Sequence, residues 1–192
     1  MSWMRSPLIA VATATALLAG PAATASAWDT RTLRTWSVTS CLAGWGSLPK
    51  TSDVDTASLV TDVRAGHHTC FDRVVIDLSG DPDGYDVRYV PALATEGEGR
   101  IVDVRGAARL QIIVRSHAYT ADGFVPTYLP ADPNEMFSTS GMGAVQQAVW
   151  LGSFEGQSVI GLGVRGTLPF RAFTLDDPGP GARLVVDVAH SW

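Results

Sequence analysis

The chain has 192 residues, 46% of them hydrophobic, and 14 basic against 19 acidic side chains give a formal charge of −5. That length suits one domain of ordinary size, and that composition supports a real core. A mildly acidic balance excludes nucleic acid and anionic membrane surfaces as expected partners.

Residues 1–27 read as a secretory signal peptide. Arg5 supplies the positive charge, Pro7–Leu18 is apolar apart from two Thr, and Ala25-Ser26-Ala27 fits a small-residue cleavage pattern. The apolar run is too short and too rich in Ala and Thr to span a bilayer comfortably, and no second run of membrane length follows. The expected product starts at Trp28, carries no membrane span and is secreted. Losing the leader removes Arg5 and no carboxylate, so the charge becomes one unit more negative.

Residues 28–58 read as an N-terminal extension with little periodicity. Trp28, Trp36 and Trp45 are placed to anchor it on the domain, and Thr51–Thr56 is polar and loop-like. Cys41 and Cys70 are the only cysteines. In an exported chain their expected state is a disulfide stapling the extension to the first strong strand, worth roughly 2–4 kcal/mol. A thiolate nucleophile or a metal pair is the alternative.

Residues 59–192 read as the folded domain. Leu59–Val63 is a short strand. In Phe71–Val90, Val74, Ile76 and Leu78 share one face of a strand, Ser79–Gly84 is a cluster of turn formers, and Tyr85, Val87 and Tyr89 share one face of a second strand. This stretch reads as a β-hairpin. Ile101–Val104 and Ala108–Val114 follow as strands, and Arg115–Gly143 runs as a long irregular connection. Gly143–Phe154 is ambiguous: Val145–Val149 admits a helix, but Val149-Trp150-Leu151-Gly152 suits a strand better. Glu155 suits a hairpin loop. Ser158–Val164 alternates large residues with glycine, which marks close approach of another backbone or a bulge. Phe170–Leu175 and Arg183–Val188 complete the series. So many short strands with frequent turns predict an all-β sandwich of two mainly antiparallel sheets.

A weak repeat runs through Asp72–Leu78, Ala108–Val114 and Ala182–Val188, each placing Arg before three apolar residues on one face. If the first and last copies are neighbours, antiparallel pairing sets Arg73 opposite Asp187 and Asp77 opposite Arg183. Parallel pairing would set Arg near Arg, which cross-strand electrostatics disfavours.

The residues show no catalytic constellation. Ser138–Gly143 is neither a nucleophile elbow nor a phosphate loop. His67 and His68 are adjacent and poorly placed for one metal, and a zinc site would need Cys70 reduced. His117 and His190 sit at strand ends, where hydrogen bonding is the common role. No metal and no cofactor is expected. Tyr85, Arg88, Tyr89, Tyr119, Tyr128 and Trp150 offer planar faces and donors, as glycan- or peptide-binding surfaces do. These residues point to binding rather than to an enzyme.

Phe71–Leu78, Gly84–Val90, Pro169–Asp176 and Arg183–His190, in this order and spacing, resemble the AMIN-like domain of exported actinobacterial proteins. The resemblance covers Leu59–His190, and Trp45–Lys50 with the two cysteines is similar to a subgroup of that family. It implies a sandwich related to AMIN domains, which localise cell-wall amidases and secretins by binding peptidoglycan. The implied partner is therefore a cell-wall polymer. An envelope protein, held by an edge strand or the 115–143 loop, is the other expectation.

Overall fold

The computed structural model of the protein describes residues 45–122 and 125–192. Eleven strands are present among them: β1 (Lys50–Ser52), β2 (Val60–His67), β3 (Phe71–Leu78), β4 (Tyr85–Val90), β5 (Leu93–Ala94), β6 (Ile101–Val102), β7 (Ala108–Val114), β8 (Val145–Phe154), β9 (Gln157–Val164), β10 (Phe170–Asp176) and β11 (Ala182–Ala189). They form a five-stranded sheet, β1-β4-β7-β9-β8, a four-stranded sheet, β10-β11-β3-β2, and a two-stranded ribbon, β5-β6. Every pairing of named strands is antiparallel. The architecture is an all-β sandwich. No helix among the described residues is long and apolar enough to cross a membrane.

The three repeat copies are β3, β7 and β11, and each has a partner strand on both sides. Their in-phase apolar residues build the core. Val74, Ile76, Leu184, Val186 and Val188 face Leu110, Ile112, Val114, Ile160 and Leu162, all fully buried. Burial of such side chains is the main stabilising term of the fold.

The Phe71–Val90 stretch is not a hairpin. β3 lies in the four-stranded sheet and β4 in the five-stranded one, so residues 79–84 arch from one layer to the other. Asp83 holds the arch. It is buried, its Oδ1 accepts the N–H groups of Thr56 (3.1 Å) and Gly84 (2.9 Å), and its Oδ2 accepts the Ser116 hydroxyl (2.8 Å). An arch lets both strands turn their apolar faces inward on a common core. Hairpins do occur at β8–β9 and β10–β11. In the first, Glu155 and Gly156 both have positive φ (48° and 86°), as a tight two-residue connection requires.

Thr51 and Ser52, read as part of a polar loop, belong with Lys50 to strand β1, which pairs with β4. Gly143–Phe154 resolves as strand β8 from Val145 onward. The outer face of the five-stranded sheet carries a second cluster, in which Leu93 and Val104 pack on Val149, Leu151 and Val159. Gly161 and Gly163 make room for it. A Cβ at Gly161 would collide with the Leu93 side chain, and one at Gly163 would fall on the Arg105 carbonyl oxygen. The 115–143 connection runs along the outer edge of β8, where Met136 N–H donates to Ala148 O (3.0 Å) and Trp150 N–H to Pro133 O (2.7 Å).

Candidate functional site

Alternation along β4 sets Tyr85 and Tyr89 in phase with fully buried Val87, so both rings turn toward the core. The Tyr85 hydroxyl donates to Ala172 O (3.1 Å), joining the two sheets. The Tyr89 hydroxyl donates to Leu168 O (2.9 Å) and accepts from Leu168 N–H (3.0 Å), and its ring meets Phe170 edge-on at 5.6 Å. Burial pushes the Tyr89 phenol up to about 12, against the lowering effect of the Leu168 hydrogen bond. These two tyrosines are pillars between the layers. Arg88 is exposed on the opposite face of β4 and forks onto its neighbour Asp86.

The other three aromatics come together. Tyr119, Tyr128 and Trp150 line one shallow groove of about 260 Å³ with Pro126, Leu129 and Ser153. Tyr128 meets Trp150 edge-on, with centroids 5.2 Å apart. Trp150 is placed by β8 beside a bulge between Trp150 and Gly152. The other wall is a short ribbon within the long connection. There Tyr119 bridges Pro126, Thr127 N–H donates to Ala118 O (2.9 Å), and the Thr127 hydroxyl donates to Val60 O (2.7 Å). Ser153 Oγ accepts the Ala118 N–H (2.9 Å) and ties the ribbon to β8. Leu129 at the rim is 67% exposed, a large apolar group left in water. Burial, and then the charge of Asp62, push the Tyr128 phenol up to about 12, so it remains a neutral hydrogen-bonding group.

A larger hollow of about 530 Å³ is lined by Asp55, Asp86, Glu155, Arg115, His117 and Gln157, among others. Its one guanidinium, on Arg115, is taken by Asp53 at 2.7 Å. Its excess of carboxylates and the lack of an aromatic floor make it a poor seat for a sugar ring or an acidic peptide.

On the four-stranded sheet, β3 and β11 pair with Arg73 opposite Asp187 and Asp77 opposite Arg183. Only the first pair closes. Arg73 grips Asp187 with two hydrogen bonds (2.7 and 2.9 Å), and Arg171 adds a third (2.8 Å) to this fully buried carboxylate. Asp77 instead takes Arg64 at 3.0 Å. Arg183 Nε lies 2.6 Å from Asp177, close enough for charge attraction but without hydrogen-bond angles. The reason is reach: Arg64 on β2 and Asp177 in the β10–β11 turn each lie nearer than the partner directly across.

The sequence reading missed Asp72. It stands in phase with Val74, Ile76 and Leu78 and is fully buried at one end of the sandwich. Its Oδ2 accepts the N–H groups of Ala144 (2.7 Å) and Val145 (2.9 Å), and its Oδ1 that of Gly143 (3.2 Å). His190 Nε2 lies 2.9 Å and His67 Nδ1 3.2 Å from Oδ1, with the two rings stacked at 5.1 Å. Burial acts to raise this carboxyl, but the hydrogen bonds from Val145, His190, Ala144 and Gly143 together hold it below its ordinary value. The available signal was the phase: a charge on the core face needs several partners. His68 turns away and stacks on Phe71 at 4.6 Å. Cys70 is not a free thiol, and its expected partner Cys41 lies outside the described residues, as do Trp28 and Trp36.

The described residues form a two-layer antiparallel sandwich with an aromatic groove on one flank. The AMIN-like domain model matches residues 58–190. The chain belongs to the AMIN-like family. No curated protein and no solved structure matches it. AMIN-like domains are typically non-catalytic binding or targeting modules of envelope or periplasmic proteins, and membership suggests a cell-envelope module here.

Proposed function

We propose that this protein is exported, performs no chemistry of its own, and binds cell-wall polymer through the Tyr119–Tyr128–Trp150 groove. The observation that carries this reading is the convergence of those three rings on one open surface beside exposed Leu129. Aromatic faces accept the C–H faces of sugars, and the Tyr hydroxyls supply directional hydrogen bonds. The family supports an envelope setting, and the leader-like residues 1–27 support export.

The test is co-sedimentation of the oxidised chain from Trp28 to Trp192 with purified peptidoglycan, intact or stripped of its stem peptides. Saturable binding that Tyr119→Ala weakens with the fold retained supports the groove. Loss of binding on stripping places recognition on the peptide. No binding at tens of micromolar overturns the reading.

A protein partner held by strand addition is the second reading. It rests on β10, whose outer edge is bridged at Phe170 by Gly46 and carries no further strand pairing among the described residues. Capture of an envelope protein, abolished by proline at Thr174, would favour it.

A further inference from the structure

The geometry points to a transition-metal site built from His67, Asp72 and His190, separate from the aromatic groove. The three residues come from the end of β2, the start of β3 and the segment after β11. Each offers one ligand atom, His67 Nδ1, Asp72 Oδ1 and His190 Nε2, and all three lie within 4.8 Å of one another. The two nitrogen-to-oxygen separations are 3.2 and 2.9 Å. A tetrahedral zinc ion with bonds of about 2.0–2.1 Å places its ligand atoms about 3.3 Å apart. The two carboxylate arms of the triangle are therefore within about 0.4 Å of that spacing, and the two imidazole nitrogens lie within 4.8 Å of each other.

The surroundings fit as well. Asp72 is held by backbone N–H groups on both oxygens, so its orientation is fixed before any ion arrives. Gly143 backs His190: a Cβ there would lie 2.7–2.9 Å from the imidazole, so glycine lets the ring sit where it does. The His67 side chain is 51% exposed and that of His190 20%, which leaves an open approach and room for water as a fourth ligand. An N₂O donor set with an open position suits Zn²⁺ and its neighbours among borderline divalent ions, and not Ca²⁺ or Mg²⁺, which take oxygen ligands.

The ion would join three segments that meet at this end of the sandwich. Its role is to lock the residue after β11 onto the end of β2 and the start of β3. Any ion that binds the folded chain alone raises its stability by mass action.

The experiment is titration of the untagged, oxidised, chelator-treated full chain with Zn²⁺ by calorimetry and by thermal unfolding. Co²⁺ serves as a coloured probe of coordination. The expected result is saturable uptake, a rise in Tm, and visible Co²⁺ bands of a low-coordinate N/O site. His67→Ala and His190→Ala each weaken uptake by at least about tenfold, while His68→Ala leaves it unchanged. His67 is half exposed and its alanine variant keeps the core, so loss of binding there is not loss of fold. No saturable uptake, or uptake that survives either His67→Ala or His190→Ala, overturns the site.

Discussion

Arg73 and Asp187 face each other across β3 and β11, fork against fork, with Nε–Oδ1 at 2.7 Å and Nη2–Oδ2 at 2.9 Å. Arg171 approaches the same carboxylate from β10, and both guanidinium groups lie over aromatic rings of Phe71 and Phe173. Asp187 thus ties three adjacent strands together. Asp187→Ala leaves two partly covered cations without their acceptor and is expected to cost about 2–3 kcal/mol. Arg73→Lys keeps the charge but loses the paired geometry and should fall between wild type and Asp187→Ala. The urea midpoint of each variant checks the order.

Acid should unclasp the other buried carboxylate. Asp72 is held below its ordinary value of 3.8, so it contributes stability that is fully present above pH 3.8. That contribution is lost as the pH falls through its lower folded-state value. The urea midpoint of the wild type should therefore drop steeply in acid. Asp72→Asn should start lower at neutral pH and show a shallower acid limb. Equal acid slopes for the two proteins would contradict this assignment.

Tyr89 and Tyr119 should separate stability from binding. Tyr89→Phe removes a hydroxyl that both donates to and accepts from Leu168, at an expected cost of about 1–2 kcal/mol and with no change in peptidoglycan retention. Tyr119→Ala should do the reverse, with a small change in Tm and a clear loss of retention. Unfolding curves and co-sedimentation on the same preparations provide the check.

Gly163→Ala should destabilise more than Gly161→Ala. The first meets the Arg105 backbone, which must shift as a unit. The second meets the side-chain tips of Leu93 and Val149, which give more readily than backbone. Overpacking typically costs about 1–3 kcal/mol, with Gly163→Ala at the upper end. Amide exchange should show residues 93–105 loosening more in Gly163→Ala than in Gly161→Ala.

Much of this fold was legible because alternation carries phase. Val74-Ile76-Leu78 and Leu184-Val186-Val188 announce both strand and buried face, and the Arg73–Asp187 pair between them fits the β3–β11 register. Turn clusters carry no such phase. Ser79–Gly84 says that the chain changes direction, but not whether it returns to the same sheet, and the hairpin reading failed there. Ile101–Val104 was legible as a strand and supplies β6, but its two-residue partner Leu93–Ala94 lies below any periodic signal, so half of the outer ribbon was missed although Gly161 and Gly163 marked its seat. At the surface, Tyr85 and Tyr89 could have been set aside by their phase with Val87. Tyr119, Tyr128 and Trp150 come from non-repetitive connection and a bulged strand, and only the folded chain shows that they meet. Asp72 needed the opposite inference, that a carboxylate on the core face draws donors from distant segments.

The four-stranded sheet is made from the two ends of the domain, with the Arg73–Asp187 contact spanning 114 residues. The five-stranded sheet is laid down mainly by the chain between them. A chain that emerges N-terminus first therefore cannot finish the four-stranded sheet until β11 has emerged, and β3 must wait with one side bare. Such long loops make closure slow relative to local structure. A chain cut short before Ala182 would keep most of its hydrophobic residues, yet it would lack the strand that lets the first half of the domain settle.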